Sequence, residues 1–361
     1  MNKDIIKKYL DIVKSEDKKK HRVIKHILSD LSYIYFIAVM IRQALYRLQL
    51  LKVNKLPCVV ISVGNITAGG TGKTPAVIML AAMLKESGKR VAVLTRGYGR
   101  KDGVSGTAIV SDDRGIILDW KKSGDEPYQM AKELAGVPVI ISRKRSDGGR
   151  LAVEKYKTQV IIMDDGFQHR SLKRDLDIVL IDGLSPFGNR KLLPAGLLRE
   201  PLSGLKRADM FFISRADQSA PEMKKEIYEE IKKVSGEKPV IECIHKPCCL
   251  INIFDGRKER ADFIKGREVS IFSGIGNSKA FELSVASLGA KIKRTFVFPD
   301  HHIYSREEIK EITNSGETVV TTEKDGFRLG KTACKNVWAL KVEMIIIAGA
   351  EELKKKLEKY V

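Results

Sequence analysis

The sequence has few cysteines, and their spacing fits no metal site or disulfide framework. Five occur among the 361 residues, and no two of them form a C-x-x-C pair. They are Cys58, Cys243, Cys248, Cys249 and Cys334. An odd number without metal-ligand spacing indicates isolated thiols in a reducing cytoplasm and argues against structural zinc.

Secretory and repeat signals are also lacking. The first twenty residues are charged throughout, so we expect no signal peptide there, and no internal repeat or low-complexity tract is evident. Residues 31–41 (LSYIYFIAVMI) are apolar and uncharged, but this run is shorter than the roughly twenty residues that a standard membrane-spanning helix needs.

Basic residues are abundant. Lysine and arginine total 65 against 45 acidic residues, which gives a net charge of +20. This excess favours polyanionic binding partners: nucleic acid, an anionic membrane surface or phosphorylated substrates. A hydrophobic content of 43% excludes a disordered chain, and the length favours two domains.

The N-terminal segment, residues 1–50, differs from the rest. Lysines dominate its start, and the apolar run 31–41 follows. A basic segment beside an aromatic-rich apolar helix is typical of binding at an anionic bilayer surface. The alternative is a helix packed on the protein with a solvated basic lead-in. A nucleic-acid partner is not expected, because no recognition module accompanies the lysines.

A glycine-rich turn follows residues 58–61 (CVVI), which are typical of a buried strand, and leads into a helix predicted over residues 76–84. Gly-Lys-Thr at this junction is the pattern of a phosphate-binding loop, where backbone N–H groups surround phosphate oxygens at a helix N-terminus. We expect Lys73 to reach the terminal phosphates and Thr74 to contact Mg²⁺. A turn that merely caps a helix would not require this Lys-Thr pair. The predicted nucleotide-binding residues are Thr67, Ala68, Gly69, Gly70, Thr71, Gly72, Lys73 and Thr74.

Polar residues follow several later strands. Arg96 and Tyr98 lie in a glycine-containing turn after strand 90–94, where an anionic ligand or a plain solvated loop is possible. Asp125 precedes a predicted helix. Its carboxylate is either an ordinary helix-start signal or a functional group close to the edge of the sheet. Asp164 and Asp165 end strand 160–163, the Walker-B arrangement that supplies a carboxylate to Mg²⁺.

The order of strands and helices predicts an α/β fold. Up to about residue 238 it indicates a P-loop NTPase-like, doubly wound and mostly parallel sheet. The pattern then restarts, with connecting strands expected at 240–244 and 249–253. We therefore predict three parts: residues 1–50 with the membrane-associating helix, a P-loop kinase domain at 51–238, and a smaller α/β domain at 239–361.

These motifs resemble, in order, those of the tetraacyldisaccharide 4′-kinase family, the lipid A 4′-kinases. The resemblance runs from about residue 30 to the end, and 164–170 (DDGFQHR) is its most specific segment. The other matching segments are 63–65, 69–75, 96–100, 124–127, 193–196, 198–201, 298–302 and 322–325. One departure is Ser278, where the family usually has proline.

The resemblance implies transfer of the γ-phosphate of ATP, with Mg²⁺, to the 4′-hydroxyl of a tetraacylated glucosamine disaccharide 1-phosphate. It also implies residence at the cytoplasmic face of a bacterial inner membrane, and no obligate protein partner is inferred. By motif, Asp125 corresponds to the proposed base and His301 to its dyad partner, with Lys73 on the phosphates. The implied Mg²⁺ environment is Thr74, Asp164, Asp165 and Glu200. The implied acceptor-side residues are Asn65, Arg96, Tyr98, His169 and Arg199.

Another class of function stays open from the residues alone: a P-loop ATPase or GTPase that switches through a protein partner. Against it, no Asn-Lys-x-Asp guanine motif is obvious, and Ala68 stands where related switch proteins usually carry a second lysine.

Overall fold

The structure is a computed structural model that describes residues 22–97, 106–314, 316–330 and 335–360. In these ranges fourteen strands form one sheet. From edge to edge the order is β12-β11-β13-β14-β9-β8-β7-β1-β6-β2-β5-β3-β4, and β10 pairs with β9. The strands are β1 (Val59–Asn65), β2 (Val91–Thr95), β3 (Ala108–Asp112), β4 (Gly115–Ile116), β5 (Val139–Ile141), β6 (Val160–Asp164), β7 (Leu176–Asp182), β8 (Met210–Ser214), β9 (Val240–Asn252), β10 (Lys258–Arg260), β11 (Glu268–Ser273), β12 (Lys291–Val297), β13 (Thr318–Thr322) and β14 (Val337–Ala348).

Helices connect most of these strands. They are α1 (Arg22–Arg47), α2 (Lys73–Glu86), α3 (Trp120–Ser123), α4 (Asp125–Glu133), α5 (Arg145–Tyr156), α6 (Pro221–Ser235), α7 (Ser278–Ser287), α8 (Arg306–Thr313), α9 (Glu323–Leu329) and α10 (Ala350–Glu358). Short 3-10 turns cover Leu202–Arg207 and Ala261–Ile264.

The sheet of the first half is parallel from β8 through β7, β1, β6 and β2 to β5. Its strands are buried on both faces, because alternate residues enter different cores. In β7, Ile178 and Leu180 pack with α2, whereas Val179 and Ile181 pack with α6. The predicted doubly wound, mostly parallel α/β fold is confirmed.

A long antiparallel ribbon, β9 with β14, joins the two halves of the sheet. β9 pairs in parallel with β8 at its start, and β14 pairs in parallel with β13. The strands predicted at 240–244 and 249–253 are therefore one strand. Pro247, which lacks an N–H, is accommodated beside a register shift between Lys341 and Val342. The domain boundary at residue 238 stays a prediction; it falls just before this ribbon.

Helix α1 contains the apolar run and lies against the first half through polar contacts. The Ser32 hydroxyl donates to the Leu192 carbonyl at 3.0 Å, and the Tyr35 hydroxyl donates to the Arg199 carbonyl at 2.8 Å. Ser32 is its one buried residue. Because the helix has 26 residues, it is long and apolar enough by length and composition to cross a membrane, although the apolar run alone is not.

Candidate active site

The phosphate-binding loop connects β1 to α2, as predicted. Gly72 has a φ of 87°, in the left-handed region that favours glycine, and it directly precedes the helix. Asn65, fully buried at the end of β1, donates from Nδ2 to the Thr67 carbonyl at 2.8 Å and to the Thr71 hydroxyl at 2.9 Å. The structure thus places Asn65 inside the loop, where it holds the loop's two sides together.

Lys73, at the start of α2, is close to two residues of the predicted site. Its Nζ lies 3.4 Å from Oδ1 of Asp165 and 3.3 Å from Oδ1 of Asn65. Arg199 Nη1 also donates to both oxygens of Asp165, at 2.8 and 3.0 Å. Burial alone would raise the pKa of Asp165, but Lys73 and Arg199 hold it below its usual value.

Asp164 has a different environment from its neighbour. It ends β6 beside β1, where its backbone pairs with Val63, and its side chain is buried. Oδ2 accepts a hydrogen bond from the Thr95 hydroxyl at 2.8 Å. Burial, with Glu126 and Asp165 nearby, raises the pKa of Asp164 to about 6. A buried carboxylate whose negative charge is poorly compensated is suited to bind a cation.

Glu200 lies in the loop after the segment 193–196, and hydrogen-bond donors already surround it. Oε1 accepts from Gln168 at 2.8 Å and from Arg207 at 3.0 Å, and Gln43 of α1 donates to Oε2. Arg207 Nη1 also lies 2.8 Å from Oε2. The structure therefore places Glu200 where it holds α1 and the loop together.

Asp125 and His301 are in contact, although they come from different halves of the chain. His301 Nδ1 lies 3.1 Å from Oδ2 of Asp125, which is buried at the first residue of α4. Burial works to raise the pKa of Asp125, but His301, Arg328 and Lys324 hold it well below its usual range. Burial works to lower the pKa of His301, and the hydrogen bond to Asp125 raises it overall.

The pair is electrostatically linked to the phosphate-binding loop through Glu126. Lys324 lies 2.7 Å from Glu126 and chiefly lowers its pKa, and Lys73 adds to that effect. Glu126 in turn contributes to the raised pKa of Asp164. The loop, the β6 carboxylates and the Asp125–His301 pair thus form one charged cluster at the carboxyl ends of the strands.

A cavity of about 490 Å³ opens beside α1. Tyr35 and Val39 of α1 line it, together with Asp165 and His169. Seven arginines also line it: Arg42, Arg96, Arg143, Arg145, Arg170, Arg199 and Arg207. Burial and the neighbouring arginines lower the pKa of His169 to about 4, so its imidazole is neutral near pH 7. Such a cavity can receive an anionic, amphiphilic molecule.

Of the predicted acceptor-side residues, Arg96, His169 and Arg199 line this cavity, whereas Asn65 does not. Tyr98 lies outside the described residues.

A loop of the second half lies directly on the phosphate-binding loop. A Cβ on Gly276 would come within 2.8 Å of the Gly70 nitrogen. Asn277 donates to Asp182 at 3.1 Å, and Arg215, paired with Asp182 at 2.7 Å, donates to the Gly70 carbonyl at 2.7 Å. The sequence patterns did not predict this network, because its only signal was that polar residues lie at or after the ends of strands.

Known proteins match this chain over most of its length. The family model described as tetraacyldisaccharide-1-P 4′-kinase matches residues 24–361. A tetraacyldisaccharide 4′-kinase of Halothermothrix orenii is 40% identical, over 94% of this chain and 93% of its own length. One of Aquifex aeolicus is also 40% identical, over 92% of this chain and 98% of its own.

A solved structure is similar over nearly the same extent. The crystal structure of LpxK from Aquifex aeolicus in complex with ATP is 39% identical to this chain. The similarity covers 93% of this chain and 99% of that one, with a TM-score of 0.74.

Proposed function

The chain belongs to the tetraacyldisaccharide-1-P 4′-kinase family, and we propose that it phosphorylates the 4′-hydroxyl of a tetraacylated glucosamine disaccharide 1-phosphate with ATP. It is a kinase of lipid A biosynthesis, a phosphotransferase that acts on a hydroxyl group. The observation that carries the assignment of the site is the contact between Asp125 and His301 in the same charged cluster as Lys73.

The residues of the loop 67–74 would hold the phosphates of ATP. Their backbone N–H groups and the N-terminus of α2 favour phosphate oxygens, and Lys73 would move from Asp165 to the terminal phosphates. The ion pair with Asp165 supports this role, because it holds Lys73 beside the carboxylate that directly follows β6.

Mg²⁺, when bound, would neutralise negative charge on the phosphates of ATP. The hydroxyl of Thr74 and the carboxylate of Asp164 are oxygen donors of the kind this cation takes. We assign the direct contact to Asp164, because Asp165 already pairs with two cations and both oxygens of Glu200 are occupied. Asp165 would then keep Arg199 in place, and Glu200 would keep α1 in place, around the metal.

The arginine-lined cavity would receive the acceptor. Its positive charge suits the 1-phosphate, and its wall formed by α1 suits the acyl chains. Arg96, His169 and Arg199 would contact the sugar or the transferring phosphate, and Asn65 would act indirectly by holding the loop. The pKa of His169, lowered to about 4, makes it a neutral hydrogen-bonding group there.

In the reaction, the 4′-oxygen would form a bond to the γ-phosphorus while the bond from that phosphorus to the leaving oxygen of ADP breaks. Asp125 would accept the hydroxyl proton, and His301 would orient the carboxylate. A carboxylate with a depressed pKa is a weak base. It suffices here because a loose transition state leaves the hydroxyl proton in place until late in the transfer.

The proposed location is the cytoplasmic face of the inner membrane, with α1 at the bilayer surface. One side of α1 contacts the loops of the site, and the other exposes apolar side chains: Val23, Ile24, Ile27, Leu31, Tyr33, Ile34, Ile37, Met40 and Ile41. This arrangement suits a peripheral or shallow anchor.

The test is a direct acceptor assay. The full chain, with γ-labelled ATP, Mg²⁺ and the detergent-dispersed disaccharide 1-phosphate, is expected to give a lipid labelled at the 4′ position. Lys73→Ala should abolish the label, whereas Lys85→Ala, at the other end of α2, should not. Hydrolysis of ATP that is indifferent to the lipid and requires a protein partner would instead support a switch ATPase.

A further inference from the structure

Arg328 is a buried arginine of α9 to which the sequence motifs assign no role. Its side chain is only 3% exposed, and it reaches from the second half of the chain to the carboxylate of Asp125 in the first. There Nη2 donates to Oδ2 of Asp125, the same oxygen that His301 Nδ1 approaches.

Arg328 is fixed in place by its own half of the chain. Nη1 donates to the Gly274 carbonyl at 2.7 Å and to Oδ1 of Asp325 at 2.8 Å. Asp325 is fully buried and accepts hydrogen bonds from the Tyr304 hydroxyl at 2.7 Å and from Thr322. These contacts fix the guanidinium without help from Asp125, and Nη2 donates to the Asp125 carboxylate of the first half.

The surroundings of this contact keep α4 and α9 at a fixed separation. Tyr128 packs edge-to-face on Phe327 with ring centroids 5.2 Å apart. Lys324 pairs with Glu126 at 2.7 Å, one turn before Arg328. A planar guanidinium held in this way fixes the direction of the Asp125 carboxylate as well as supplying a charge, and a flexible ammonium fixes that direction less well.

We propose that Arg328 is a positioning residue for phosphoryl transfer, which holds the Asp125 carboxylate aimed at the acceptor hydroxyl and keeps it ionised. The proposal rests on the function proposed above for Asp125. The charged groups that face Asp125 are His301, Arg328 and Lys324, with Glu126 beside it and Asp300 beyond His301. Without Arg328 the carboxylate keeps one ring nitrogen as its partner on Oδ2, so it rotates more freely and binds a proton more readily.

The experiment compares Arg328→Gln, Arg328→Lys, Asp125→Asn and the double variant Asp125→Asn/Arg328→Gln in the full chain with ATP, Mg²⁺ and the lipid acceptor. Arg328→Gln is expected to lower kcat by about 100-fold, the size of effect that a small misplacement of a reacting group produces. KM for ATP should stay within about twofold, because uniform binding is not lost. The acidic limb of the kcat profile should move up by about one pH unit or more, since a neighbouring cation is lost.

Arg328→Lys keeps the charge, so it should restore the acidic limb of the wild type, but it should recover only part of the kcat, because an ammonium fixes the direction of the carboxylate less well. In the Asp125→Asn background, Arg328→Gln should have little further effect, because the two residues act as a unit. Lys224→Gln, which removes an ion pair with Glu242 at 2.8 Å, is the matched control and should leave kcat unchanged.

Two outcomes would overturn the proposal: a pH profile that is the same in wild type, Arg328→Gln and Arg328→Lys, or equal fold losses from Arg328→Gln with and without Asp125. Failure of the role proposed for Asp125 looks different. In that case Asp125→Asn itself would retain full activity toward the lipid, whatever residue stands at position 328.

Discussion

His301 Nδ1 lies 3.1 Å from Oδ2 of Asp125, although 176 positions separate the two residues in the chain. One residue begins α4 in the first half, and the other lies between β12 and α8 in the second. The pair therefore exists only while the two halves are held as they are here. Its chemistry depends on the packing of α4 against the second half.

Removing the imidazole should disturb the Asp125 carboxylate in two ways: the carboxylate loses a partner that orients it, and its pKa rises. His301→Gln loses the hydrogen bond that helps to keep the pKa of Asp125 low, so Asp125 protonates at a higher pH than in the wild type. We expect kcat to fall by about 100-fold or more, with the acidic limb of the profile moved upward. A kcat profile carried from neutral pH down to the lowest pH at which the protein stays folded measures both effects.

The neighbouring histidine provides the control for this variant. His302 Nε2 pairs with Glu308 at 2.9 Å, away from Asp125, so His302→Gln should leave the pH profile unchanged. A profile that shifts equally in both variants would contradict the assignment of the pair.

Asp164 should reduce the stability of the ligand-free protein near neutral pH. Burial raises its pKa in the folded state from 3.8 to about 6, so the folded protein binds more protons in this window than the unfolded chain does. The free energy of unfolding therefore falls as the pH rises from about 4 to 6. Asp164→Asn should be more stable than the wild type at pH 8 by about 1–3 kcal/mol, and the difference should disappear at pH 4.

Denaturant unfolding at the two pH values tests this expectation. Asp177→Asn is the matched control: its buried carboxylate pairs with Arg174 at 2.8 Å, so its loss should destabilise the protein at pH 8. If Asp164→Asn is instead less stable than the wild type at pH 8, the neighbours of Asp164 already offset the cost of burying its charge in the ligand-free protein.

Gly72 is restricted both by its backbone and by its surroundings. Its φ of 87° disfavours any other residue, and a Cβ there would lie 2.8 Å from Nε2 of His245. Gly72→Ala should cost about 1–3 kcal/mol of stability and raise KM for ATP. In the double variant Gly72→Ala/His245→Ala, the contact is relieved and the backbone strain remains, so thermal unfolding should show a partial recovery. No recovery at all would mean that strain alone accounts for the loss.

The exposed side of α1 should determine binding to lipid vesicles. Ile34 and Ile41 are 63% and 55% exposed, and neither is needed for the contacts that hold α1 to the protein. Replacing both with serine should weaken sedimentation with anionic vesicles by about tenfold or more, while kcat in detergent is kept. Val297→Ser, at a 60% exposed valine of β12, is the control and should not alter vesicle binding. Equal vesicle binding by all three proteins would place the membrane contact elsewhere.

Much of the site could be predicted because parallel strands bring their carboxyl ends to one edge. The loop after β1 and the acids after β6 had to be neighbours once these strands paired, and Val63 does lie opposite Asp164. Glycine, lysine and acid at such positions together favour a bound phosphate and its cation, so the motifs indicated both the fold and the outline of the site.

Other parts of the site have no local signal. Arg328 meets Asp125 over 203 positions, and an arginine three residues after an acid on a short helix is ordinary in sequence. The role of Glu200 was equally hidden, because its partners come from α1, Gln168 and Arg207. These contacts are decided by how the halves and α1 pack, which periodicity and motif spacing do not encode.

The continuous sheet has a consequence for cutting the chain. A protease that cleaved between α6 and β9 would sever the covalent link at the predicted domain boundary, yet β9 would stay hydrogen-bonded to β8 on one side and to β14 on the other. The nicked halves would remain associated in native solution and separate only in denaturant. Neither would behave as an independent fragment, because separation would expose an unpaired central strand edge to solvent and to aggregation.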